Sequence, residues 1–465
     1  MSGDVEMDQD GNTRDEKMSW WRSARFGMFV HWGPYAQWAG QYRGHQQARG
    51  GAEWIMNRCK IPMAEYQERA RSFDPTAWDP DAVAKLAESA GMRYLIFTAK
   101  HHDGFAMFPT QASTFNIVDH AGQGDIVGPL VEACRRHGLK AGLYYSQSQD
   151  WNNPGGATAR KEMAEGWPNP DAEEVDAFSA AHGGAWDPGQ LTRSFADYVD
   201  QVGLPQVREL LTRYEDTAIL WWDTPMGITT DQARRYTELL ALKPGIITND
   251  RLKRPDFPGD TSTPEGHVPG DSEVDERDWE ACMTMGTSWG YKSWEEDWKS
   301  AQTLIRTLVD AASKGGNFLL NIGPRADGSI PQESIERLLH VGEWMDLNGR
   351  AIHGTEASPL PPLGWGRCTA TVRGEQTSLF LHVFDWPEDG AVLVPGLTGV
   401  EVRDASLLAD GAPVPWEPSA DGLRISLPGQ APTADVSVVE VVVEAALRRR
   451  VSRASEAMTT GALDA

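Results

Sequence analysis

The chain has 465 residues, 67 of them acidic and 43 basic, for a formal net charge of −24. A field of that sign repels phosphate backbones and anionic lipid surfaces, which excludes nucleic acid and membranes as expected partners. With 40% hydrophobic and 24% charged residues the composition is globular, which excludes wholesale disorder.

Residues 1–17 are acidic and polar, lack the basic start and apolar run of a secretion signal, and read as a disordered N-terminus. Cys59, Cys134, Cys282 and Cys368 are widely separated and form no C-x-x-C pair. Reduced thiols and a cytoplasmic location are therefore expected.

From residue 18 to 354, short apolar runs alternate with amphipathic stretches. FGMFVH from Phe26, YLIFTAK from Tyr94, AGLYYS from Ala141, AILWWD from Ala218, GIITND from Gly245 and FLLNIG from Phe318 are nearly continuous apolar blocks. Parallel strands covered on both faces look like this. Helices are predicted over 79–90, 125–137, 191–214, 231–242, 297–313 and 332–348, from three- and four-residue apolar spacing and from charges that match the helix dipole. With two more strands inferred, one near 283–289, the alternation predicts a (β/α)8-like barrel. The polar stretches 149–189 and 254–278 exceed ordinary connectors and read as functional loops. Residues 355–447 change texture. TATVRG, SLFLHVF, AVLVPG, LRISLPG and VSVVEVVVE, separated by Gly, Pro and Asp, predict a C-terminal antiparallel β-sandwich. Residues 448–465 read as a disordered tail.

In a parallel barrel the strand C-termini open onto one face, where catalytic groups gather. Here those ends carry His31-Trp32-Gly33, Lys100-His101-His102-Asp103, Tyr144-Tyr145-Ser146, Trp221-Trp222-Asp223 and Asn249-Asp250-Arg251. Adjacent histidines leaving a strand diverge, and no H-x-H or H-x-x-x-H pattern exists, so neither a metal nor another cofactor is expected. His31, His101 and His102 suit hydrogen bonds to substrate hydroxyls instead. Asp223 directly follows the apolar run AILWW, where an unpaired buried carboxylate would cost several kcal/mol. It is either paired or working. A strand-end carboxylate, further carboxylates in a later loop and 19 tryptophans suit glycoside cleavage by two carboxyl groups about 5–5.5 Å apart. The residues leave two other readings open: a non-catalytic sugar-binding protein, and a metal-dependent barrel hydrolase or isomerase.

RFGMFVHWGPYA from Arg25, Glu53-Trp54, the long segment ending in KHHDGFAMF, DIVGPLVEACRRHGLKAGLYYS, LWWDTP, TPE, DWEACMTMGTSWGY and GGNFLLNIGPRADGSIP occur in this order. Together they resemble the α-L-fucosidases of glycoside hydrolase family 29. The resemblance implies a barrel followed by a β-sandwich. It also implies exo-acting hydrolysis of terminal α-L-fucosyl linkages, on fucosylated oligosaccharides or glycoconjugates, through a covalent fucosyl-enzyme. Under it Asp223 takes the nucleophile's position. His31, His101, His102 and one of Tyr144 or Tyr145 fall among the sugar-hydroxyl contacts, beside Glu53 and Trp54. Arg251 or Arg254 is the neighbouring guanidinium, and Trp221 and Trp289 suit the C5 methyl of fucose. DTP at 223–225 stands where several members carry DG. Self-association into a homo-oligomer is compatible with this reading.

The partner acid/base is sought in the loop 263–280, which holds seven acids: Glu265, Asp271, Glu273, Asp275, Glu276, Asp278 and Glu280. A general acid needs a sheltered position facing the glycosidic oxygen. Glu265 follows Pro264, which stiffens the backbone before it, and lies in the TPE motif of the resemblance. It is the first choice, Glu280 the second and Glu276 the third.

Overall fold

The apolar runs become eight parallel strands: β1 (Phe26–Val30), β2 (Tyr94–Lys100), β3 (Lys140–Tyr145), β4 (Thr217–Trp222), β5 (Ile247–Thr248), β6 (Thr261–Ser262), β7 (Asp278–Thr284) and β8 (Asn317–Ile322). They lie in the order β5-β4-β3-β2-β1-β8-β7-β6. The two ends meet through a parallel bridge between Asn249 and Thr261, where Asp250 N–H donates to the Thr261 carbonyl at 2.9 Å. The sheet thereby curls into a nearly closed barrel. This computed structural model describes residues 14–46, 51–161, 171–271, 273 and 277–448.

Successive side chains on a strand point to opposite faces. Phe29, Tyr94, Ile96, Tyr144, Ile219, Trp221, Ile247, Cys282 and Leu319 cluster inside the barrel. Their immediate neighbours, such as Met28, Leu95, Leu143, Tyr145, Leu220, Trp222 and Leu320, belong to the outer core beneath the helices. Helix α1 (Arg14–Ala24) inserts Met18, Trp21 and Ala24 into the inner cluster and so closes the end of the barrel opposite the strand C-termini.

The N-terminal expectation needs correction here. Residues 1–13 lie outside the described residues, but the chain is helical from Arg14 rather than disordered to residue 17. Arg14 and Arg22 both reach Asp278, at 3.0 and 2.7 Å, and Lys17 reaches Asp260 at 2.9 Å. Charges that composition assigns to a solvated tail are anchors.

Around the barrel run α2 (Pro80–Ser89), α3 (Val127–Arg136), α4 (Leu204–Arg213), α5 (Thr230–Leu239), α6 (Ala301–Ser313) and α7 (Gln332–Asn348). Asp79 caps α2 by accepting the N–H groups of Asp81 and Ala82. The helix expected over 191–214 spans Phe195 to Arg213 and contains a π-helical turn at Val199–Gly203. Strand β7 begins at Asp278, earlier than the expected 283–289. Strand β6 lies inside the polar stretch 254–278, because two residues carry no readable period.

Beyond the barrel, β9 (Gly366–Arg373), β10 (Gln376–Val383), β11 (Ala391–Val394), β12 (Val402–Leu407), β13 (Trp416–Ser419), β14 (Gly422–Ser426) and β15 (Ser437–Val443) are antiparallel. Sheets β9-β10-β15-β12 and β11-β14-β13 enclose Leu379, Val394, Ile425 and Val441 as a β-sandwich. It leans on the barrel's outer helices: Trp344 Nε1 donates to the Val436 carbonyl at 2.7 Å, and Arg306 pairs with Asp385 at 3.0 Å. Of the tail 448–465, only Arg448 lies among the described residues.

Candidate active site

A cavity opens at the C-terminal ends of the strands. Its lining comprises Phe29, His31, Glu53, Trp54, His101, His102, Tyr144, Trp221, Asp223, Thr224, Arg251, Glu265, Cys282 and Trp289.

Asp223 leaves the end of β4 into this cavity. Its Oδ2 accepts the Tyr144 hydroxyl at 2.8 Å and lies 3.4 Å from His102 Nε2, while Oδ1 accepts Arg251 Nη1 at 2.8 Å. Burial alone would raise its pKa. The His102 hydrogen bond and the Arg251 charge outweigh burial and hold the carboxyl well below the ordinary range. Its backbone is held as firmly: buried Gln147 accepts the Asp223 N–H at 3.0 Å and donates to the Arg251 carbonyl at 2.8 Å.

Arg251 has a second carboxylate. Nη2 donates to Glu265 Oε2 at 2.8 Å, Nε donates to Thr263 Oγ1 at 2.8 Å, and the guanidinium covers the Trp221 ring at 4.8 Å. The Glu265 side chain is 47% exposed, so it sits at the mouth of the cavity and meets solvent. Glu280 is placed differently. Inside the barrel, off the cavity lining, it accepts Trp221 Nε1 at 3.1 Å and the Tyr94 hydroxyl. Burial pushes its pKa up to about 7. With both oxygens engaged beneath Trp221, it faces no substrate. Glu276 lies outside the described residues.

The histidines are oriented from behind. His31 Nδ1 is 2.7 Å from Asn321 Oδ1, and His102 Nδ1 is 2.7 Å from Ser146 Oγ. Burial lowers the pKa of His31 to about 3 and holds that of His101 well below the usual value, with the neighbouring rings adding to the effect at His101. Tyr144 stacks between His101 and Trp221, with ring centroids 5.5 and 5.6 Å away. Buried Glu53 accepts the Gly290 N–H at 2.8 Å, and burial raises its pKa to about 7. Trp54 meets His102 edge to face at 5.2 Å, and Trp289 lies 5.0 Å from His31. Among the described residues no three His, Cys, Asp or Glu side chains gather into a metal cage.

Two expected contacts fall elsewhere. Tyr145 points outward from β3 and donates its hydroxyl to Gln206 Oε1 at 2.8 Å, as strand alternation requires once Tyr144 points inward. Arg254 folds back onto Asp250 at 2.8 and 2.9 Å and lines a separate cavity with His267 and Trp279. Conversely, the sequence reading misses Gln147, Asn321, Phe29 and Cys282, and places Ser146 at a strand end without giving it a role. Gln147 and Asn321 are polar residues just after or inside apolar runs, which is the signal that marks them. Thr224, seen in the sequence only as a departure from DG, has φ = 48°, a conformation natural to glycine and foreign to a β-branched side chain.

Known proteins share this architecture. The alpha-L-fucosidase family model matches residues 2–350. Alpha-L-fucosidase of Dictyostelium discoideum is 28% identical over 451 residues, covering 89% of each chain. Human tissue alpha-L-fucosidase is 28% identical over 444 residues, covering 90% of this chain and 86% of its own. Alpha-L-fucosidase isoenzyme 1 from Paenibacillus thiaminolyticus superposes with a TM-score of 0.79 at 33% identity, covering 93% of this chain and 99% of its own. A family 29 alpha-L-fucosidase from Bacteroides thetaiotaomicron, solved as a trapped covalent intermediate with 2-fluoro-fucosyl fluoride, superposes with a TM-score of 0.78 at 26% identity, covering 95% of this chain and 99% of its own. On sequence, barrel and sandwich alike, the chain belongs to the α-L-fucosidase family.

Proposed function

We propose that Asp223 is the nucleophile and Glu265 the acid/base of a retaining α-L-fucosidase acting on terminal α-L-fucosyl groups of fucosylated glycans. In the first step an Asp223 oxygen attacks the anomeric carbon while Glu265 gives its proton to the departing glycosidic oxygen. The aglycone leaves as an alcohol and the sugar becomes an ester of Asp223. Glu265, now a carboxylate, takes a proton from water. The resulting hydroxyl attacks the same carbon and frees both fucose and Asp223. Arg251 offsets the charge of the resting nucleophile.

The observation that carries this reading is the single guanidinium that joins a buried, ionised strand-end carboxylate to a second carboxyl group open to solvent. The test is labelling with 2-fluoro-fucosyl fluoride followed by peptide mapping. The label is expected on Asp223, and attachment to any other residue overturns the assignment. Hydrolysis of the nitrophenyl α-L-fucoside in a panel of nitrophenyl glycosides tests the activity itself. Binding of that fucoside without turnover would favour a sugar-binding role.

A further inference from the structure

Asn321 is buried near the end of β8, behind the cavity wall, and touches both sides of its corner. Its Nδ2 donates to the Trp289 carbonyl at 2.7 Å, and its Oδ1 lies 2.7 Å from His31 Nδ1. A backbone carbonyl only accepts, so the amide has one orientation, with NH2 toward Trp289 and C=O toward His31. A carbonyl oxygen also only accepts. Nδ1 of His31 therefore carries the proton. His31 is buried among Phe29, Tyr144, His101 and Trp289. Burial disfavours a second proton on the ring. That leaves Nε2 as a bare lone pair on a residue that lines the cavity, with no partner among the described residues.

We propose that Asn321 is a specificity-determining positioning residue, which commits His31 to the Nδ1–H tautomer and makes Nε2 an obligatory acceptor for a hydroxyl of the sugar. Recognition at this corner then has a polarity. A sugar hydroxyl that donates is bound, and a group that can only accept is refused, because its lone pair meets another lone pair. The same amide holds the Trp289 main chain, so the ring and the indole that share this wall keep one geometry. The proposal rests on the cavity taking the fucosyl group.

Two measurements test it. In [15N]histidine-labelled wild-type enzyme, with the signal assigned by its loss in His31→Gln, the His31 nitrogens should report a neutral ring protonated at Nδ1. Protonation at Nε2 overturns the proposal, and this result needs no Asn321 variant to fold. In the second, L-fucose and its deoxy and deoxyfluoro analogues compete as inhibitors. The hydroxyl facing His31 is the one whose removal costs nothing further in His31→Ala. At that position both analogues should bind wild type about tenfold more weakly than L-fucose, and equally so, because fluorine cannot donate. Asn321→Leu frees the ring to protonate Nε2, and the fluoro analogue should then bind at least threefold tighter than the deoxy one. Asn321→Asp keeps the acceptor at Nδ1 and should restore the equal penalties. A fluoro analogue that binds wild type better than the deoxy analogue overturns the proposal. If L-fucose does not compete at all, the fucosidase reading fails, and the nitrogen spectrum still decides the tautomer.

Discussion

Asp223 and Glu265 occupy opposite nitrogens of one guanidinium, each 2.8 Å from Arg251. One cation thus contacts both carboxyl groups. When Asp223 becomes an ester, its charge disappears and Arg251 is left facing Glu265 alone. The negative charge facing Arg251 passes from Asp223 to Glu265 at the step where the acid becomes the base.

Removing the bridge should therefore be visible in the pH profile. With Arg251→Gln, Asp223 loses the charge that opposes its burial, and its pKa rises. The acid limb of kcat/KM should move upward by at least about one pH unit, with a loss of about 100-fold at the optimum. The stability sign follows from the depressed folded pKa. Asp223 stabilises the wild-type fold above about pH 4, and that contribution fades as pH falls toward the folded value. Thermal melts from pH 3 to 7 should show a weaker acid-side loss in the variant. An unmoved acid limb would mean that Arg251 does not set the ionisation of Asp223.

Glu265→Ala should separate the two steps. Hydrolysis of natural fucosides, which need a proton on the leaving oxygen, should fall by about 100-fold or more, and fluorides much less. Added azide should accelerate turnover of the activated substrate and yield β-L-fucosyl azide. Rescue by azide in Glu280→Ala, with Glu265→Ala behaving as wild type, would transfer the role to Glu280.

Glu280→Gln should instead change stability. The folded pKa of Glu280, about 7, lies above the unfolded value, about 4.3. A raised carboxyl pKa means that the folded state holds a proton the unfolded state has lost, so wild-type stability falls as pH rises between those values. The variant should lose that dependence, flattening the curve by up to about 1.4 kcal/mol per pH unit within the window. Its kcat/KM should stay within about tenfold of wild type, since its contacts run through Trp221 and Tyr94. Paired melts at pH 5 and 8 measure the first effect.

Thr224→Gly should not lower Tm, although replacing a threonine by glycine usually does. Thr224 holds φ = 48°, which costs a β-branched residue about 1–3 kcal/mol and glycine almost nothing. The relief offsets the greater entropy of the unfolded glycine chain. The side chain lines the cavity, with Oγ1 3.5 Å from His102 Nε2, so kcat/KM should change while Tm holds or rises. A fall of several degrees with unchanged kinetics would show an ordinary packing role.

The sequence by itself determined a good deal. Blocks such as YLIFTAK and FLLNIG, apolar at nearly every position and alternating with amphipathic stretches, read as parallel strands covered on both faces, and this predicts the barrel. The carboxylate after AILWW, the histidines after β1 and β2, and Glu265 after Pro264 could be read as site residues from their positions at strand and loop ends. Tertiary structure alone decided which member of each adjacent pair faces the cavity. Tyr144 and Trp221 stand side by side in register and point inward, while Tyr145 and Trp222 point out. Period-two alternation separates neighbours but does not say which one is inside, since that depends on register across the closed sheet. Two-residue β6 exists only because β7 and the bridge to Asn249 hold it. Gln147 and Asn321 act through partners 76 and 290 residues away, Asp223 and His31. A local pattern encodes periodicity and burial, but a buried amide's role depends on which distant backbone group the closing barrel brings within 3 Å.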